Sequence, residues 1–532
     1  FINLMHRRLR ERSIEEIAKV KWSPEWGKKR IRDMIAERPD WCISRQRFWG
    51  VPLVIFYCDK CNALLKDFAA LRNVIRWFEK EGADAWYAHP AEELLPAGTR
   101  CACGGTRFRK EKDILDVWFD SGSSSLAVLS EVEKTWPADA YLEGLDQYRG
   151  WFNSSLLIGV GVRDRAPYRQ VITHAWALDA DGHPMSKSLG NVILPRDICE
   201  KWGAELLRIW VSSQDYHADI RMSDSVMTQL SESYRKLRNT FRYFLGNLHG
   251  FEPQRDAVRD AELWEMDAWM MHRTGELVRQ CREGYDKFEF HRVFHAVHDF
   301  CVVDLSAFYF DVLKDRLYTF APRNIGRRSA QTALFRIANA LLRLLAPVMV
   351  FTSEEVWQLL PHRPGDPESI HMSYFPAVEN MDTGLRKETV ENWDRLLAIR
   401  RDVLGALESA RSKKVVAGAL EAEVTLYPRT DLEEKVGSRT FEVLQTYLKS
   451  LPALFLVSQV RMADYFDNSE GAVTEAGDLV IVGVQKAKGK KCERCWNYST
   501  QVGINLTWPT VCERCVAALE EIQRSPGVAA AK

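Results

Sequence analysis

The spacing of apolar positions changes along the chain. Between Trp41 and about Ala218, short apolar runs (Leu53–Tyr57, Ala138–Leu142, Gln170–Leu178) alternate with helical stretches such as Trp151–Gly159 and Arg196–Ser212. Strand–helix alternation of this kind predicts a parallel α/β sheet. From about Ser223 to Leu360, apolar residues recur at helix spacing: Leu230, Tyr234, Leu237, Phe241 and Phe244, then Phe294, Val297, Phe300 and Cys301. Long amphipathic runs with few strand signals predict a helix bundle. Pro361–Glu379 reads as a proline-rich connector. A helix over about Val390–Ser412 leads into Ala422–Tyr427 and a small α/β stretch ending at Val484. Residues 1–40 read as helical and basic, with a helix starting at Ser23-Pro24 and Pro39 closing it. Residues 58–112 hold two cysteine pairs and several glycines and read as an inserted module.

Composition narrows the class. A chain of 532 residues is too long for one core and implies several domains. Basic and acidic residues balance at 73 each, which excludes a uniformly basic nucleic-acid coat but leaves room for a local basic face. The longest apolar run, near Leu156–Val162, is too short to span a bilayer. The first dozen residues carry Arg7, Arg8, Arg10, Glu11 and Arg12, unlike a signal peptide. A cytoplasmic protein without membrane contact is therefore expected. Residue 1 is Phe, and the chain is expected to be a fragment of something longer. Of twelve cysteines, eight sit in close pairs, a pattern of metal binding in a reducing compartment rather than of disulfides. Cys42, Cys199, Cys281 and Cys301 are isolated and read as small buried hydrophobes.

Four groups of residues carry chemistry. Cys492-x2-Cys495 and Cys512-x2-Cys515 are two knuckles separated by a hairpin-length spacer, a spacing that puts four thiolates around one Zn²⁺ and leaves no open position. The neighbouring Lys486, Lys488, Lys490 and Lys491 could be a solvated linker or could meet phosphate. Cys58-x2-Cys61 with Cys101-x-Cys103 is a looser set, either a second zinc site or an empty one. Asp181-Gly-His-Pro-Met-Ser-Lys-Ser-Leu-Gly-Asn191 follows a strand and precedes a helix. Its Lys187 would suit the charge of a departing pyrophosphate. In Tyr141–Phe152, a strand ends at Glu143-Gly144 and a helix opens near Gly150. Ligands bind at such strand ends. Gly144 would let a ligand approach the backbone, Asp146 could bind ribose hydroxyls, and Trp151 would be an apolar wall.

These residues carry a resemblance. Met185–Ser188 with Leu189-Gly190-Asn191 resembles the KMSKS signature of class I aminoacyl-tRNA synthetases. Trp41–Pro52, Leu115–Gly122 and Tyr141–Phe152 resemble blocks of the branched-aliphatic subgroup. With Cys495-Trp496 in the terminal module, the variants are most similar to the bacterial isoleucyl-tRNA synthetases. The resemblance implies ATP-dependent activation of L-isoleucine, with Mg²⁺ accompanying ATP, and transfer to isoleucine tRNA by a monomer. It implies that Glu143, Gly144, Asp146, Gln147 and Trp151 contact the aminoacyl-adenylate, and that His174, Met185, Ser186, Lys187 and Ser188 lie by the nucleotide, with Lys187 catalytic. Two departures are expected to matter. Pro184 replaces the first lysine of the signature, and no HIGH-type motif is found. The chain is therefore expected to be a C-terminal portion lacking that motif and the editing domain.

The expected architecture is an α/β Rossmann-type catalytic half-domain (1–222, with the 58–112 insertion), a helical anticodon-binding bundle (223–395), a small α/β junction (396–485), a zinc module (486–520) and a tail (521–532). Arg235, Arg238 and Arg242 share a helical face, as a solvated stripe or a tRNA contact with Lys488, Lys490 and Lys491. His291, His295 and His298 also share a face, but Arg292 stands where a zincin would carry its glutamate, so packing is the favoured reading. The competing functions are a non-catalytic tRNA-binding fragment and a valine- or leucine-specific relative.

Overall fold

The computed structural model describes residues 1–429, 434–463 and 472–524, so most of the expected tail lies outside the described residues. The chain divides into two units, residues 1–186 with 216–221, and residues 187–215 with 222–532.

The first unit opens with two amphipathic helices, α1 (Leu9–Lys19) and α2 (Trp26–Ala36), on either side of a short strand, β1 (Lys21–Ser23). Ser23 ends that strand, and the helix begins only at Trp26 without a side-chain cap, so the expected Ser23-Pro24 helix start is corrected. The inserted module pairs β2 (Phe56–Cys58) antiparallel with β3 (Phe108–Lys110) and packs α3 (Phe68–Glu81) beside them. The chain then forms α4 (Val117–Ser124), β4 (Tyr141–Gly144), α5 (Trp151–Arg163) and β5 (Gln170–His174). The strands form a parallel sheet in the order β1-β5-β4. Apolar α5 supplies much of the core: Phe152, Leu156, Leu157 and Val160 are buried with Trp22, Tyr141, Tyr148 and Val171.

In the second unit, the predicted Arg196–Ser212 helix is two, α6 (Pro195–Trp202) and α7 (Ala204–Ser213), broken at Gly203, whose φ of +87° a side chain rarely adopts. The bundle comprises α8 (Asp224–Leu248), α9 (Glu265–Asp286), α10 (Phe290–Asp299), α11 (Phe310–Thr319), α12 (Ile325–Leu345), α13 (Val350–Leu359) and α14 (Lys387–Ser412). Apolar residues cover most of α12, fifteen of whose positions are buried, which marks it as the central helix. A four-stranded mixed sheet follows, in the order Gln459–Met462, Ala422–Pro428, Val480–Lys486, Val473–Ala476. The last helix, Glu513–Arg524, closes the terminal cysteine module. That module is held to the bundle by Arg514, which bonds Asp315 at 2.8 Å, and by Asn324, which donates to Glu521 at 3.0 Å. The architecture is thus a Rossmann-like α/β sheet, a long helical region, a mixed-sheet junction and a four-cysteine module. Among the described residues, no helix is long and apolar enough to cross a membrane.

Candidate functional site

The parallel register places Gly144 opposite His174 and Glu143 opposite Thr173 at the carboxyl ends of β4 and β5. Gly144 is wedged: a Cβ there would lie 2.8 Å from Asp146 Oδ1 and 3.4 Å from the His174 ring. A side chain there would displace the exposed Asp146 carboxylate and come into ordinary contact with the His174 ring. A relay of hydrogen bonds fixes the turn that follows. Gln147 Nε2 donates to Asp146 Oδ2 at 2.8 Å, and Gln147 Oε1 accepts the Trp151 amide at 3.0 Å, standing in for the cap that the helix lacks. The Trp151 indole stacks on Tyr141 at 3.9 Å and donates to the Ser121 carbonyl at 3.0 Å. His174 Nδ1 lies 2.8 Å from the Ala175 carbonyl; as donor there, it leaves Nε2 for a ligand.

Glu143 and Asp146 are exposed, whereas Gly144 and Tyr148 are buried. The Tyr148 hydroxyl pairs with Thr173 Oγ1 at 2.9 Å, and burial pushes its phenol pKa up. The strand end is therefore a rigid shelf with two carboxylates at its rim. The structure brings together Glu143, Gly144, Asp146, Gln147, Trp151 and His174. It adds Trp118, which sequence reasoning did not single out. That half-exposed indole lies 2.6 Å from where a Gly150 Cβ would be, beside Gln147. The signal available was its place in the block Leu115–Gly122, one turn before Gly122 packs on Ser154.

The signature segment begins as a tight turn, in which Asp179 Oδ1 accepts the amides of Asp181 (3.1 Å) and His183 (2.8 Å). Asp179, Asp181 and His183 stand close enough to share a cation, but this turn occupies the first of them. Met185 and Ser186 end the first unit; Lys187 and Ser188 begin the second, in an exposed turn closed by Gly190 on the Lys187 carbonyl.

Both cysteine sets converge. The four sulfurs of Cys58, Cys61, Cys101 and Cys103 lie within 4.8 Å of one another, as do those of Cys492, Cys495, Cys512 and Cys515. The Gly105 amide and the neighbouring thiols pull Cys103 down to about 7; Cys61, despite the Ala63 amide, is pushed up to about 12 by Cys103 and Cys101. In the terminal set, Cys512 lowers Cys495 and is itself pushed up to about 11. Such thiols resist ionising together unless a cation sits among them, and the donor sets fit tetrahedral zinc. Two four-cysteine clusters thus support structural zinc. Near the terminal one, Lys488, Lys490 and Lys491 are exposed, and Lys491 lies over the Trp496 ring at 5.6 Å.

Arg235, Arg238 and Arg242 line one side of a groove of about 570 Å³ between α8 and α13, facing Thr352, Glu355 and Leu359. Arg235 pairs with Glu232, and Arg238 lies 5.7 Å from the Tyr234 ring. The three histidines of α10 do not converge on a metal: His295 faces the Ser213 carbonyl at 3.1 Å, and His298 faces Asp299.

Residues 1–223 match the family of class I tRNA synthetases (I, L, M and V), residues 267–426 the anticodon-binding domain of tRNA ligases, and residues 489–518 the zinc finger found in FPG and IleRS. The class I synthetase match over residues 1–223 overturns the expectation that the chain is a C-terminal portion holding only the second half of the catalytic domain and lacking the HIGH-type motif. The chain is 48% identical over 524 residues to an isoleucine--tRNA ligase of Syntrophotalea carbinolica, covering 98% of this chain and 55% of that relative. It is 47% identical over 517 residues to that of Caldanaerobacter subterraneus subsp. tengcongensis, covering 96% and 54%. The chain thus spans about half the length of these curated relatives. A solved ternary complex of Agrobacterium radiobacter K84 agnB2 LeuRS, tRNA and LeuAMS aligns with a TM-score of 0.47 at 18% identity, covering 78% of this chain and 48% of that one.

Proposed function

We propose that the chain works in ATP-dependent ligation of L-isoleucine to its tRNA through an isoleucyl-adenylate. The observation that carries this is the parallel register that sets Gly144 opposite His174 at the ends of two strands, with the Asp146 carboxylate in the turn beside them. Glu143 and the Gly144 backbone would face the aminoacyl group, and Asp146, held by Gln147, would bind the ribose hydroxyls. Trp151 and Trp118 would wall the side-chain pocket, and His174 would lie by the nucleotide. Met185, Ser186 and Ser188 would frame the signature loop, in which Lys187 would stabilise pyrophosphate as it departs. Mg²⁺ would arrive with ATP. The carboxylate of isoleucine attacks the α-phosphorus; the bond to pyrophosphate breaks; a tRNA ribose hydroxyl then attacks the adenylate carbonyl and releases AMP. The protein's part is positioning and charge stabilisation.

The proposed division is 1–222, 223–395, 396–485 and 486–520. Arg235, Arg238 and Arg242 in the groove, and Lys488, Lys490 and Lys491 beside the zinc module, would contact tRNA phosphate. We also propose a monomeric, cytoplasmic protein. Calorimetric titration of a non-hydrolysable isoleucyl-adenylate analogue tests the site. Binding that Asp146→Ala weakens, with the leucyl analogue binding more weakly, is expected. No binding, or equal binding of both analogues, would overturn the reading.

A further inference from the structure

We infer that Glu205 is a positioning residue that couples the segment carrying Lys187 to the arginine-lined groove of the bundle. The inference rests on the proposed reading of that groove as a tRNA site. Glu205 is the second residue of α7 and is buried. Its carboxylate reaches out of its own helix: Oε1 accepts the Phe351 amide at 3.0 Å and Oε2 the Thr352 amide at 3.4 Å. These are second- and third-position donors of α13, a helix with no side-chain cap of its own. An acid from a different helix therefore satisfies orphan donors at the positive end of α13. Three residues on, along the same face, Arg208 donates to the carbonyls of Pro347 (2.6 Å) and Val348 (3.0 Å), at the corner between α12 and α13. One turn of α7 thus grips that corner through an acid on its amides and a base on its carbonyls.

The groove begins at the same residues. Thr352, whose amide faces Glu205, pairs its hydroxyl with that of Tyr234 at 2.7 Å, and Tyr234 is the ring beneath Arg238. Phosphate held by Arg238 and Arg242 would pin α8 against α13 and keep the first turn of α13 in place. The donors that hold Glu205 would then stay fixed. Residues 187–203 lead directly into α7 and lie in the same unit as the groove, so local opening of that segment must work against the Glu205 contacts. Binding in the groove should therefore reach the Lys187 segment through a contiguous set of hydrogen bonds.

The test is hydrogen exchange of the full chain with and without isoleucine tRNA. The expected result is that tRNA slows exchange of amides in residues 187–203 by about tenfold, within the usual range of coupling between two sites. Glu205→Ala should bind tRNA but lose this response, and Glu205→Gln, which still offers an acceptor, should restore most of it. If Glu205→Ala fails to fold, the response in the native chain and in Glu205→Gln still decides. Binding of tRNA by the native chain with unchanged exchange over 187–203 would overturn the coupling alone. Absence of tRNA binding would overturn the groove reading and the coupling with it. An undiminished response in Glu205→Ala would show that another contact carries it and would overturn the role of Glu205.

Discussion

The carboxylate of Asp116 accepts the indole N–H of Trp41 at 3.0 Å, across 75 positions of sequence. The same oxygen takes Arg45 Nη2 at 2.5 Å, and the other caps α4 through the Trp118 amide at 3.2 Å. One buried acid thus ties the Trp41–Pro52 block to the helix that presents Trp118. Asp116→Ala would orphan two donors and remove a cap. We expect a loss of about 2–3 kcal/mol, the half-exposed Arg45 contributing little of it. Asp116→Asn should recover about half of that, because the amide oxygen can still accept from Trp41. Urea unfolding monitored by tryptophan fluorescence checks the order.

Both blocks joined by Asp116 were legible in the sequence as motifs, but their junction was not, because a side-chain bond across 75 residues leaves no local pattern. Periodicity located β4, β5, α5 and the bundle, where apolar spacing is regular. It missed β1, in which Trp22 stands alone between Lys21 and Ser23 and which becomes a strand only through its pairing with β5. The shelf at Glu143–Asp146 could be read because its residue types are unusual at a strand end. Trp118 could not be distinguished from a core tryptophan by sequence alone.

Buried charge supplies the next prediction. Asp267 is fully buried and receives Arg316 Nη2 at 2.6 Å, Arg316 Nη1 at 2.9 Å, the Tyr309 hydroxyl at 2.8 Å and Ser329. Burial opposes the charge on Arg316, and Asp267 restores it. Asp267→Ala strands that guanidinium in the bundle, so a loss of about 3–5 kcal/mol is expected. Asp267→Ala paired with Arg316→Met should recover part of it. A double-mutant cycle by chemical denaturation measures the difference.

Metal content tests the cysteine sets separately. The native chain should hold two zinc ions, one for each set of four converging sulfurs. Cys495→Ser should leave one and expose the end of the chain to protease, because metal binding supplies much of the folding energy of such a module. Cys61→Ser should also leave one, with the protease-sensitive region moved to residues 58–112. Elemental analysis alongside limited proteolysis distinguishes the two losses.

His89 gives the inserted module a pH dependence of definite sign. Its ring lies 2.7 Å from Glu81 and 2.8 Å from Glu93, and it packs on Trp77 at 4.2 Å. Hydrogen bonds to Glu81 and then Glu93 raise its pKa above the ordinary value. A raised histidine contributes stability that is fully present below the unfolded value of about 6.5 and is lost as pH rises through the folded one. Between pH 6 and 8.5, with zinc in excess, protection of residues 68–95 from hydrogen exchange, corrected for the intrinsic rate, should fall as pH rises. His89→Gln should flatten that slope. A slope unchanged by the substitution would mean that other groups set it.

Two glycines in helical settings should respond to alanine in opposite ways. Gly246, in α8, has open space where a Cβ would go, so Gly246→Ala should stabilise the bundle by about 0.5–1 kcal/mol through helix propensity alone. Gly150 immediately precedes α5, and its Cβ would stand 2.6 Å from the Trp118 ring and 2.7 Å from Gln147 Oε1. Of the two neighbours, Gln147 is the less free to yield. Gln147 is held at both ends, by Asp146 and by the Trp151 amide. Gly150→Ala must therefore push Trp118 off the rim or break the bond that opens α5, at a cost of about 1–3 kcal/mol from overpacking. Either displacement deforms the proposed isoleucine wall. The affinity of an isoleucyl-adenylate analogue should fall by about tenfold to a hundredfold, each factor of ten being about 1.4 kcal/mol. Binding of AMP should change less, because the carboxylate of Asp146, the proposed ribose contact, is not among the atoms that a Gly150 Cβ would meet. Calorimetry with both ligands on both variants reads the contrast, and equal losses for AMP and the analogue would place the Gly150 effect in the general fold rather than in the side-chain pocket.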